Sequence, residues 1–87
     1  MAIYELDGRR PDIHPSVFVA ESAAVIGNVT IGEGSTIWFG TVIRGDGDEP
    51  IRVGRRTSIQ DLTMLHADIG KPLTIGDDCT VGHQVML

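Results

Sequence analysis

Aliphatic residues recur at every sixth position: Ile13, Val19, Val25, Ile31, Ile37 and Ile43 follow one another without a slip. After a step of ten the series resumes at Val53, Ile59 and Leu65, and after a second step of ten at Ile75, Val81 and Leu87. Each long step is one hexad plus four inserted residues, and each falls after a multiple of three hexads. The period is therefore eighteen residues, three hexads to a coil, with extra loops leaving one corner. Two positions before the markers the residues are again small or aliphatic, as at Val17, Ala23, Val29, Ser35, Thr41, Ile51, Thr57, Thr63, Leu73, Cys79 and Val85. Alternation by two describes a strand with one face turned inward. Glycine often follows the marker, at Gly32, Gly54, Gly76 and Gly82, where a corner needs a permissive backbone. No segment carries the i, i+3, i+4 spacing of an amphipathic helix.

The pattern predicts an all-β parallel β-helix of triangular cross-section with four coils, 13–30, 31–52, 53–74 and 75–87, the last incomplete. Successive coils should stack about 4.8 Å apart through ladder hydrogen bonds. Residues 1–12 precede the periodic region. Tyr4, Leu6 and the run Gly8-Arg9-Arg10-Pro11 predict a short strand and turn that cap the bottom coil. At the other end the chain stops on the inward marker Leu87 without a capping element, so residues 13–87 are expected to be a β-helix truncated at its C-terminal end.

The residue just before each marker should face outward. On the first face these are Asp12, Thr30, Arg52 and Thr74, and on the second Phe18, Thr36, Ser58 and Thr80. On the third they are Ala24, Val42, Met64 and Met86, an apolar stripe that suggests a protein interface. Trp38 and Phe39, at a corner beyond a marker, add to the expectation of an oligomer. Beside the stripe, Arg44 and His66 should lie one coil apart, and Asp61 should sit one coil below His83. Groups able to do chemistry are thus expected on two adjoining faces near one edge. His14 belongs to the first face and is out of register with them.

Composition narrows the partners. Seven Lys+Arg against twelve Asp+Glu give a net charge of −5, which speaks against nucleic acid or an anionic membrane. No apolar run approaches the roughly 20 residues of a membrane span, and the start MAIYELDGRR lacks the apolar stretch of a secretory signal. The single cysteine, Cys79, shares its register with Ser35 and Thr57, so packing is its expected role and a reducing cytoplasm the expected compartment. The Asn28-Val29-Thr30 sequon reads as accidental in such a compartment.

The ordered set Arg44-Gly45-Asp46, Gln60-Asp61, Met64-Leu65-His66 and Val81-Gly82-His83 on hexapeptide repeats resembles the gamma-class carbonic anhydrases and their close bacterial relatives. The resemblance covers essentially the whole chain as an N-terminal half, and implies a left-handed helix that lacks the family's later coils and C-terminal helix. It implies a homotrimer in which three histidines bind zinc or ferrous iron at the subunit interface, where carbon dioxide is hydrated to bicarbonate. Two of those ligands match His66 and His83. The third corresponds to position 88, directly above His66, so little or no activity is expected of these 87 residues by themselves. Gln60 would orient the water or substrate and Asp61 would supply a supporting hydrogen bond. Arg44 and Asp46 would form an ion pair at the subunit boundary. Asp48 and Glu49 in the loop Gly45–Pro50 are the candidates for a proton shuttle, although Gly47 and not an acid follows Asp46.

Two other readings stand beside this one. A hexapeptide-repeat acyltransferase would use a loop histidine as base and bind coenzyme A between later coils. A non-catalytic scaffold or assembly fragment would use the same coils without the chemistry.

Overall fold

A computed structural model describes all 87 residues. Its regular elements are twelve short strands: β1 (Ala2–Tyr4), β2 (Asp12–Ile13), β3 (Phe18–Val19), β4 (Ala24–Gly27), β5 (Val29–Ile31), β6 (Thr36–Ile37), β7 (Val42–Gly45), β8 (Ile51–Val53), β9 (Ser58–Ile59), β10 (Met64–His66), β11 (Leu73–Ile75) and β12 (Thr80–Val81). Every third strand pairs in parallel. The first face is β2-β5-β8-β11, the second β3-β6-β9-β12 and the third β1-β4-β7-β10. The inward markers stack on one another, Val19 on Ile37 on Ile59 on Val81 along the second face. This is the triangular β-helix that the six-residue spacing predicts.

Packing explains why the spacing is strict. Val25, Ile37, Ile43, Ile51, Ile59 and Leu65 are wholly buried in a single axial core. Each such side chain contributes about 1.5–3 kcal/mol by leaving water, and a slip of one residue would turn it outward. Polar inward positions are satisfied by a second ladder. The Ser35 hydroxyl donates to the Gly54 carbonyl at 2.6 Å and accepts the Thr57 N–H at 3.0 Å. Thr57 repeats this one coil higher, donating to Gly76 O at 2.6 Å and accepting the Cys79 N–H at 3.2 Å. Thr63 does the same at the next corner with Gly82 O and the Val85 N–H. No buried side-chain nitrogen or oxygen lacks a partner.

Above the bottom coil, two of the three corners turn through one residue in the left-handed region. Gly34, Arg56 and Asp78 hold that place at the corner after the first face, and Gly40, Leu62 and Gln84 at the corner after the second. The third corner takes the insertions. Gly27 passes through it with φ +73°, and its missing Cβ matters because one built there would fall on the Gly45 carbonyl.

The N-terminal segment is a short strand followed by a turn. Residues 2–4 do not lie across the bottom of the helix; they are the lowest rung of the third face, with Ala2, Ile3 and Tyr4 paired to Ala24, Val25 and Ile26. Ile3 is a marker ten residues before Ile13, so the step of one hexad plus four occurs here as well, and the Leu6–Arg9 turn is its insertion. The bottom of the core stays open as a concavity of about 310 Å³ lined by Met1, Ile3, Ile13, Val17 and Val19.

Candidate functional site

Three inserted loops, 5–11, 46–50 and 67–72, leave the same corner and lie above one another. Beside them the third face ends in two outward polar side chains on neighbouring rungs, because Arg44 of β7 pairs with His66 of β10. Asp46 follows Gly45 just past the strand end and folds back between them. Its Oδ2 lies 3.0 Å from Arg44 Nε and its Oδ1 2.9 Å from His66 Nε2. A carboxylate only accepts, so Nε2 carries the proton and donates to Asp46. The Arg44 Nη2 at 3.3 Å from the same nitrogen is then a neighbouring charge and not a second hydrogen bond. The hydrogen bond from His66, joined by the charge of Arg44, holds the Asp46 carboxyl below the usual carboxylate range. Asp68 stands 3.7 Å from the other ring nitrogen, Nδ1. Together with Gly47, Asp48, Glu49 and Ile69, these groups line an open cleft of about 410 Å³.

A second group occupies the corner between the second and third faces. Trp38, Gln60 and Gly82 form one column there, and Phe39, Asp61 and His83 the next, by the register of β6, β9 and β12. The Gln60 backbone is fixed, its carbonyl accepting Thr41 Oγ1 at 2.8 Å and its N–H donating to Val81 O at 3.0 Å. His83 is largely exposed, with Nδ1 3.8 Å from Asp61 Oδ1, an electrostatic distance too long for a hydrogen bond. Below them Trp38 is pinned by Thr36 Oγ1 at 2.9 Å and Ser58 Oγ at 3.2 Å, with the Phe18 ring centre 5.1 Å away. The Phe39 ring lies 6.4 Å from that of Trp38 on its outer side, and both Phe39 and Leu62 are more than half exposed.

The two groups do not share an edge. His66 closes the far end of β10, whereas His83 lies before the strand position of the third face, so Met64, Val42 and Ala24 separate them. The sequence pattern assigns the correct faces but not the ends of the strands, which decide this point. Within one chain no three His, Cys, Asp or Glu side chains come close enough to hold a metal ion. Asp48 is engaged by Arg9, whose Nη2 lies 2.8 Å from its Oδ1, while Glu49 stays on the cleft without an ion-pair partner. Arg9 and Asn28 both reach the 46–50 loop and were not singled out by the pattern, since neither occupies a repeat position.

Residues 10–45 match the model for the bacterial transferase hexapeptide (six repeats). A Bacillus subtilis (strain 168) protein named an uncharacterized transferase, YtoA, is 53% identical over 85 residues, which is 98% of this chain and 49% of that protein. A carbonic anhydrase of Geobacillus kaustophilus (strain HTA426) is 48% identical over 85 residues, 98% of this chain and 46% of its own. Among solved structures, a Bacillus cereus protein described provisionally as an acetyltransferase superposes with a TM-score of 0.94 at 45% identity, over 98% of this chain and 49% of that one. The chain thus spans about half the length of the curated relatives it matches. The repeat motif and the fold together make the chain a hexapeptide-repeat domain, similar over part of their length to proteins named carbonic anhydrase.

Proposed function

We propose that this chain forms part of a metal-dependent carbonic anhydrase, which hydrates carbon dioxide reversibly to bicarbonate at the seams of a homotrimer. The observation that supports this reading most is the placement of two imidazoles at opposite edges of one apolar face, each beside a carboxylate. A cyclic trimer brings the His83 edge of one protomer against the His66 edge of the next, and buries the Ala24–Val42–Met64 stripe beside that seam. One chain alone does not fit a closed metal site, because it gathers too few donors. A shared site fits better. Two neutral imidazoles suit zinc or ferrous iron, and the position above His66 in the next coil is where the resemblance places a third histidine.

In that arrangement Asp46 sets the orientation of the His66 ring through its hydrogen bond, and Asp61 is the carboxylate placed to support His83 electrostatically. Gln60, on a rigid corner backbone, orients the incoming substrate or water through its carboxamide. Glu49 and Asp48 line the cleft with His66 and offer carboxylates for carrying a proton to solvent. The metal, when bound, supplies a water that loses its proton near neutral pH. A cytoplasmic site is part of the proposal; no helix of the structure is long and apolar enough to cross a membrane.

The test is carried out on the chain continued through the coils that complete its relatives, loaded with zinc or, anaerobically, with iron. Carbon dioxide hydration followed by stopped flow is expected, and should vanish in both His66→Ala and His83→Ala. Mixed in equal amounts, the two variants should regain about one quarter of the sites, because a seam with both histidines intact forms at that frequency in random trimers. No recovery on mixing, or metal binding that survives either substitution, refutes the shared site.

The names of the transferase relatives favour a second reading, acyl transfer. A coenzyme A-dependent rise in melting temperature without metal dependence supports it. Absence of both metal and coenzyme A binding supports a scaffold.

A further inference from the structure

We propose that Arg9 is a positioning residue for His66, acting through the loop that carries Asp46. This inference rests on the reading that His66 is functional. Arg9 ends the Leu6–Arg9 turn inserted after β1, and its guanidinium spans to the loop inserted after β7. Nη1 donates to the Gly47 carbonyl at 2.8 Å and Nη2 lies 2.8 Å from Asp48 Oδ1. A planar fork with both prongs occupied fixes direction as well as distance, which a lysine ammonium cannot do. Asn28 supplies a second tether, its Nδ2 donating to the Asp48 carbonyl at 3.0 Å. The near end of the loop is also held, because Gly45 lies against the Asn28 backbone so closely that an added Cβ would come within 2.7 Å of it.

Asp46 sits between these anchors, with Gly45 before it and Gly47 after it. Apart from the Arg9 and Asn28 contacts, the only side-chain bonds leaving the loop are those of Asp46 itself to Arg44 and His66, and its far end is held by the Leu73 N–H, which donates to the Pro50 carbonyl at 3.1 Å. Glycine at position 47 leaves the backbone free to rotate, so without Arg9 the carboxylate would lose its fixed approach to His66 Nε2. The coupling therefore runs from the first inserted loop to the second and then to the imidazole of the third rung above.

The test compares Arg9→Met with the unaltered 87-residue chain at pH 8. Amide hydrogen exchange reports the loop, and diethyl pyrocarbonate labelling read by mass spectrometry reports each histidine. Exchange at Asn28 and Ile51, whose N–H groups bond across the base of the loop, should quicken, and His66 labelling should rise two- to tenfold, the scale of one net hydrogen bond. His14 and His83 serve as internal references and should not change. A faster loop with unchanged His66 labelling overturns the proposal. If all three histidines rise together, the substitution has loosened the whole fold and Arg9→Lys, which keeps the charge, decides: His66 alone must respond. Cobalt(II) affinity of the unaltered, extended protein is measured alongside. Absence of cobalt binding there refutes the metal site and leaves the Arg9 result to stand or fall separately.

Discussion

Removing one hydroxyl from the middle of the structure tests how the coils are held together. Ser35 is fully buried between the first and second faces, and its Oγ serves both the Gly54 carbonyl and the Thr57 N–H. In Ser35→Ala both groups lose that partner at a site water does not reach. Each orphaned backbone group costs about 1–3 kcal/mol, so the sum is about 2–4 kcal/mol once partial relaxation is allowed. For a domain of this size that lowers Tm by roughly 10–25 °C. The control is Ser35→Thr, which keeps the hydroxyl and reproduces the residue found one coil higher at Thr57; it should cost under about 1 kcal/mol. Urea titration followed by the fluorescence of Trp38, the only tryptophan, measures both. Equal stability of the alanine and threonine variants would show that the ladder of hydroxyls is incidental and that apolar stacking alone fixes the coil spacing.

Other expectations follow from the same geometry. Ile59→Ala empties the centre of the second face and should cost about 2–5 kcal/mol in the same titration, whereas Thr30→Ala on the outer surface should stay within about 0.5 kcal/mol. Gly27→Ala should destabilise more than Gly40→Ala. Both adopt positive φ, but at position 27 the new Cβ meets the Gly45 carbonyl, whereas at 40 it meets the mobile end of Leu62; thermal melts rank the two. The Arg56–Asp78 pair, with Nε 2.7 Å from Oδ1, lowers the Asp78 pKa through the hydrogen bond and charge of Arg56. A carboxylate whose folded pKa is depressed stabilises above its unfolded value and loses that contribution as pH falls through the folded one. The stability gap between the unaltered chain and Asp78→Asn should therefore be present at pH 7, shrink below about pH 4 and narrow in high salt. A gap that widens in acid contradicts the sign.

The six-residue series reveals the faces because each inward site has a shape to fill, and Ile13 through Leu87 report that shape repeatedly. It is silent where repetition fails. Ile3 stands alone before an insertion, and a single marker does not make a series, so the first rung reads as a cap. Arg9 and Asp48 meet across loops whose paths the period does not describe, and only the folded chain brings them together. The adjacency of Arg44 and His66 was legible because the register of eighteen plus four places residues 44 and 66 on adjacent rungs, whereas the Asp46 bond to His66 was not, because Asp46 lies past the strand end where the register no longer applies. The register also puts His83 on a different face from His66, but how far apart they stand depends on where along each side of the triangle a strand stops.

The three corners also differ in what they permit. At two of them the four-residue turn is locked by a left-handed residue and by a hydroxyl reaching the coil above, so a residue gained or lost there would wreck the register of everything beyond. Only the corner after the third face absorbs changes in length, as the segments following β1, β4, β7 and β10 already illustrate by their unequal sizes. Indels that spare the core are therefore funnelled to one vertical rank beside the imidazole. The architecture makes its most freely varying loops the walls of its most chemically equipped cleft, so access to that cleft can diverge among descendants while the scaffold stays unchanged.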